Sequence, residues 1–264
     1  MRTFTSFVAS ISFIISTSNA LADTPDLSLK EPLSIRADVW FPINGLPNSD
    51  KPGYMIEMAS TIMKQYGREV DYRTMPWERS LDQVRKGNFD CVVGAYKDDA
   101  PDFIFPELPW GRIETTIYVK SDSDWTYQGI DSLNDISIGT IGGYAYSEEI
   151  DAYVEKYKDT SKVQVINANN ALEQNIKKLL AGRLNALVES DLVLEAKLQE
   201  MGLEGQIKPA GQVSGATEMY IACSPAKEGM QEIVEQLNEG LIELRANDKL
   251  KPLLTKYGLK DWKR

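Results

Sequence analysis

The sequence predicts an α/β protein of two lobes, one inserted in the chain of the other. Three observations lead there. Strand-like runs alternate with helical runs of about a dozen residues, the signature of parallel βαβ units with right-handed crossovers. The alternation restarts near residue 137, giving a second unit of similar build. Two β-rich segments, "ETTIYVK" (114–120) and "TEMYIACSP" (217–225), flank that second unit. Strands that cross between the units would leave one lobe assembled from two separated pieces of chain, an arrangement that can open and close as a hinge. A single continuous α/β sheet with two long edge strands fits the same residues.

In chain order, "LSIRADVWFPING" (33–45) reads as a strand running into an aromatic, proline-containing loop. "GYMIEMASTIMKQYG" sets Met55, Met58, Ala59, Ile62 and Tyr66 at helical spacing, with Gly67 as the stop. "EVDYRTM" is strand-like. "PWERSLDQVRKG" is a helix with proline in its first turn and Leu81 and Val84 on one face, and "FDCVVGAY" returns to a strand. In the second unit "DISIGTIGG" is a strand into a glycine turn, and "YSEEIDAYVEKY" a helix capped by Ser147. The strand "KVQVIN", the helix "NALEQNIKKLLAG", the strand "LNALVE" and the helix "DLVLEAKLQEMG" follow. Residues 227–257 read as two helices, the first burying Ile233, Leu237, Leu241 and Leu244.

Residues 1–22 stand apart. Arg2 is their only charge, "FVASISFII" is a short apolar run, and "ALA" (20–22) offers small residues for a signal peptidase. The expectation is a cleaved secretory signal ending before Asp23, since the run falls short of the ~20 apolar residues that a membrane span needs. Cleavage removes one positive charge and moves the net charge from −10 to −11, a balance that repels phosphate backbones and argues against nucleic acid as a partner. The chain has no histidine, which removes histidine-dependent triads and the usual zinc sets. It also lacks the G-x-S-x-G elbow and the phosphate-cradling G-x-x-x-x-G-K. Cys91 and Cys223 either form a disulfide in an oxidising compartment or stay as two buried thiols.

The order of elements and six local motifs together resemble the extracellular solute-binding proteins of family 3, the receptors of polar amino-acid ABC importers. The motifs are "ADVWFPING", "MPWERSLDQVRKGNFDCVVGAY", "FPELPW", "IGTIGGYAYSEEI", "LLAGRLNALVESD" and "KLKPLLTKYGL". The resemblance implies the type II periplasmic binding protein fold, each lobe a mostly parallel sheet flanked by helices, joined by two hinge strands. Lobe 1 is expected from residues 23–117 and 222–264, and lobe 2 from 118–221. It implies a periplasmic monomer that is not an enzyme. Such a receptor captures a small polar solute, an amino acid or related compound, by hinge closure and delivers it to an ABC permease in the inner membrane. No cofactor and no metal are implied. The alternatives are an orphan or sensory module for a different solute, and a carboxylate-based, dehydratase-like enzyme on the same fold.

Ligands of open α/β lobes bind beyond the carboxyl ends of strands. The candidate ligand-binding residues are therefore Trp40 and Phe41 in lobe 1, Trp77 and Arg79 after the Met75–Pro76 turn, and the run Gly94, Ala95, Tyr96. Arg112 lies past the "FPELPW" loop. In lobe 2 the candidates are Gly143, Tyr144 and Ala145, then Glu189 and Asp191. Each has a plain structural reading too: Trp77 joins Leu81 in the core, one of Trp40 and Phe41 faces inward, Arg79 pairs with Glu78 at the surface, Tyr144 packs on the following helix, and the glycines make a tight turn.

The resemblance also sets up a departure. Amino-acid receptors of the family follow the lobe 1 strand with a threonine-rich stretch ending in an arginine that grips the ligand α-carboxylate. Here that stretch is "KDDAPD", with acids where the arginine belongs. The family's aspartate for the α-ammonium falls on Ser190, between Glu189 and Asp191. Three explanations follow: a ligand without an α-carboxylate, drawn to Asp98, Asp99 or Glu189; a replacement cation from Arg79, Arg112 or Lys97; or a role outside transport.

Overall fold

The computed structural model describes Met1, residues 30–213 and residues 215–263. The expected signal segment lies outside the described residues. Among the described residues no helix is long and apolar enough to cross a membrane.

Two five-stranded sheets carry the chain. The first has the order β2-β1-β3-β10-β4, where β1 is Lys30–Ala37, β2 Arg68–Thr74, β3 Cys91–Ala95, β4 Gly111–Ile113 and β10 Thr217–Cys223. β1 runs parallel to β2 and β3, and β10 antiparallel to β3 and β4. The second has the order β7-β6-β8-β5-β9, with β5 Thr115–Lys120, β6 Ile138–Ile141, β7 Val163–Ile166, β8 Ala186–Ser190 and β9 Ile207–Gln212. β6 is parallel to β7 and β8, and β5 antiparallel to β8 and β9. This is the two-lobed arrangement, not the single continuous sheet.

The helices form where the sequence places them. α1 (Tyr54–Gln65) buries Met55, Met58, Ala59 and Ile62. α2 (Trp77–Arg85) starts directly after Pro76 and buries Leu81 and Val84. α3 (Glu148–Tyr157) is capped by Ser147, whose hydroxyl accepts from the Ile150 N–H. α4 (Ala171–Leu180) covers the second sheet, and α5 (Asp191–Met201) is capped by Ser190. α6 (Met230–Ala246) and α7 (Leu250–Lys256) return to the first sheet, and the four expected apolar positions of α6 are buried.

β9 is absent from the sequence-level reading because Pro209 and Gly211 interrupt it. It lies at a sheet edge, where a missing N–H and a missing side chain are tolerated. The lobe boundaries also need correction. Divisions at 117/118 and 221/222 would cut β5 and β10, yet each strand pairs along its whole length within one sheet. The chain crosses at Glu114 and again between Gln212 and Thr217. The two crossings lie side by side, with Thr217 opposite Ile113 and the Val213 N–H donating to the Thr115 carbonyl at 3.0 Å.

Cys91 and Cys223 are opposite each other on β3 and β10 and form a disulfide, with Cα atoms 4.0 Å apart. Sequence left this pairing open because 132 residues separate the two positions. The "FPELPW" loop proves to be packing: Trp110 is fully buried, and its backbone N–H donates to the Met219 carbonyl on β10 at 2.7 Å.

Candidate functional site

The carboxyl ends of β1, β3, β6 and β8 converge between the lobes. Asp38 follows β1 directly, and Trp40 stands in the loop behind it. Trp77 opens α2. Gly94 ends in β3 with φ +80, and a β-carbon there would lie 3.1 Å from the Trp40 ring. Only glycine lets the indole lie against the strand in that conformation. From the second lobe come Tyr144 and Ala145 beyond β6, and Glu189 at the end of β8. A small cavity of about 20 Å³ is lined by Asp38, Trp40, Trp77, Val93, Gly94, Tyr96, Asp99, Tyr144 and Ala145.

Contacts from one lobe to the other run through this cavity. The Trp40 indole N–H donates to Glu189 Oε1 at 2.9 Å. The Tyr144 hydroxyl donates to Asp38 Oδ2 at 2.6 Å. Asp99 accepts the Tyr96 N–H at 2.9 Å and lines the cavity together with Ala145 of the opposite lobe. Tyr144 meets Trp40 and Trp77 edge to face, with centroids 6.0 and 6.4 Å away, and Trp40 meets Tyr96 in the same manner at 6.3 Å. Gly143 comes close to the first turn of α2: a β-carbon on it would stand 3.1 Å from Glu78 Cβ.

The electrostatics are one-sided. Burial pushes the Asp38 carboxyl up to about 6, Glu189 up to about 7 and Asp99 up to about 8, against the hydrogen bonds that each accepts. Among the described residues none of the three has an ion-pair partner. Asp99 Oδ1 and Glu189 Oε2 are buried without any hydrogen-bond partner in the protein. Among the described residues no lysine or arginine lines the cavity.

Of the sequence-level candidates, Trp40, Trp77, Gly94, Tyr96, Tyr144 and Ala145 meet at the cavity, and Glu189 joins them through Trp40. Trp77 is only 5% exposed and belongs to the apolar core as well as to the cavity wall. The others are elsewhere. Phe41 faces a separate outer cleft and packs on Tyr257 at 5.9 Å; of the adjacent pair, Trp40 is the inward ring. Ala95 is buried within β3. Asp191 accepts from the Tyr118 hydroxyl, away from the cavity.

The replacement cations do not enter the cavity either. Arg79 is exposed on α2, Lys97 sits over the Tyr220 ring at 5.0 Å, and Arg112 lines another cleft beside Trp262. Ser190 caps α5, while its neighbour Glu189 turns inward to accept from Trp40. Asp38 escaped the sequence reading. Its signal was an acid placed directly after a strand in "RADVW".

A family model described as bacterial extracellular solute-binding proteins, family 3, matches residues 37–260. The chain belongs to that family. Its relatives include the probable amino-acid-binding protein YxeM of Bacillus subtilis (strain 168), 23% identical over 220 residues that make up 82% of this chain and 80% of the relative. Among solved structures, an ancestral arginine-binding protein bound to glutamine superposes with a TM-score of 0.70 at 19% identity, covering 86% of this chain and 97% of the other. A histidine kinase sensor domain with similarity to periplasmic binding proteins does so at 0.70 and 18%, covering 86% and 95%. The fold is thus the two-lobed type II fold of periplasmic binding proteins. This family 3 member pairs that frame with an aromatic, acidic cavity.

Proposed function

We propose that this family 3 protein is a periplasmic receptor for a small organic cation, an amine or guanidine without an α-carboxylate. The single observation that carries the reading is the cavity wall: tryptophan and tyrosine rings with Asp38, Asp99 and Glu189 around them, and no basic side chain among the described residues. Aromatic faces and desolvated carboxylates both favour a cation. A carboxylate in the same place would meet three acids and no guanidinium. The solute binds between the lobes, stabilises a closed form by differential contact, and passes to an ABC permease in the inner membrane. The receptor acts as a monomer, without cofactor or metal, and performs no chemistry. Its relatives include arginine- and amino-acid-binding proteins, and this cavity offers partners for the ammonium and guanidinium of such ligands but none for the carboxylate.

Agmatine and arginine differ by that one carboxylate, which makes them the deciding pair. Titration calorimetry on ligand-stripped protein is expected to show agmatine binding at least tenfold tighter than arginine, about 1.4 kcal/mol. Equal or tighter binding of arginine would overturn the reading.

A further inference from the structure

We propose that Tyr144 is an internal stand-in for the solute, holding the two lobes together when none is bound. The proposal deepens the cation reading and rests on it for the identity of what Tyr144 replaces. Three features of the side chain support it. The ring projects from lobe 2 into the gap between Trp40 and Trp77 of lobe 1, meeting both edge to face, so it occupies the position in which those indoles would hold a ligand. Its hydroxyl donates to Asp38 Oδ2 at 2.6 Å, which is the hydrogen bond an ammonium would make there. And Tyr144 belongs to a turn close to lobe 1 on either side, with Gly143 against Glu78 and Ala145 sharing the cavity wall with Asp99.

A buried carboxylate without a donor is costly, so the Tyr144 hydroxyl stabilises the closed arrangement in the absence of solute. An incoming cation must displace it from Asp38. Binding therefore exchanges a phenol hydrogen bond for a charge-assisted one, roughly twice as strong, and the measured affinity is lowered by the strength of the bond given up. Every ligand that reaches Asp38 bears the same reduction.

Tyr144→Phe tests this, because it removes the hydroxyl and keeps the ring. Without solute, small-angle X-ray scattering should give the wild-type protein the radius of gyration calculated from the closed structure, and the variant a larger one. Agmatine should bind the variant about five- to tenfold more tightly, the worth of one hydrogen bond, and should return it to the compact form. Circular dichroism verifies folding, and Tyr144→Leu serves as the second variant if the first fails to fold. Equal radii for wild type and variant, or weaker agmatine binding by a folded variant, would overturn the proposal. If agmatine binds neither protein while the difference in radius persists, the cation reading falls and the role of Tyr144 stands.

Discussion

The indole of Trp40 in the first lobe donates its N–H to the buried carboxylate of Glu189 in the second, at 2.9 Å. The same Oε1 accepts the Ser190 N–H at 2.8 Å, while Oε2 has no partner. One oxygen thus fixes the geometry, and under the proposed function the other is the one that meets the solute's positive charge.

Glu189→Gln keeps the shape and an acceptor for Trp40 but removes the charge. Its expected effect is a loss of agmatine affinity of about tenfold or more, since a hydrogen bond to a charged group contributes roughly 1.5–3 kcal/mol. Melting temperature should stay level or rise, because the cost of burying an ionisable carboxyl disappears. Unchanged affinity would remove Glu189 from the site.

Stability and affinity should respond to pH in opposite directions. The carboxyls of Asp38, Glu189 and Asp99 are raised by burial to about 6, 7 and 8, above their unfolded values near 4. Their contribution to the stability of the solute-free protein is complete below about pH 4 and lost as pH rises through 6 to 8. Melting temperature without solute should therefore fall across that window. Cation binding needs the ionised forms, so agmatine affinity should rise over the same window with release of protons. Calorimetry in buffers of different ionisation enthalpy measures the release, and a flat profile would contradict it.

The disulfide ties the last strand of the first lobe to β3 across 132 residues of chain. Chain-entropy arguments put the stabilisation from closing so long a loop at about 5 kcal/mol. The double variant Cys91→Ala, Cys223→Ala should unfold at much lower denaturant concentration. A midpoint within experimental error of wild type would show that β10 is held by packing alone.

Several parts of this molecule were legible because their causes are local. The spacing of Met55, Met58 and Ile62 announces α1, Pro76 marks the start of α2, and Ser147 caps α3. The turns after strands pointed to Trp40, Trp77, Tyr96, Tyr144 and Glu189, since strand ends in α/β lobes are where ligands bind. Phe41 on the Trp40 turn, Arg79 on α2 and Arg112 on β4 face elsewhere. Direction within a turn depends on the neighbouring element, which spacing does not encode.

The sequence by itself determined the two-unit α/β plan, the family, and the absence of an arginine from the usual carboxylate-binding stretch. Each follows from periodicity or from residue identity at a motif position. Only the tertiary structure decided that Cys91 meets Cys223, that Asp38 faces Tyr144, and that Asp99 and not the exposed Asp98 enters the cavity. The physical reason is the same in each case: these pairings join residues from different strands, or opposite lobes, and depend on how the two sheets come together.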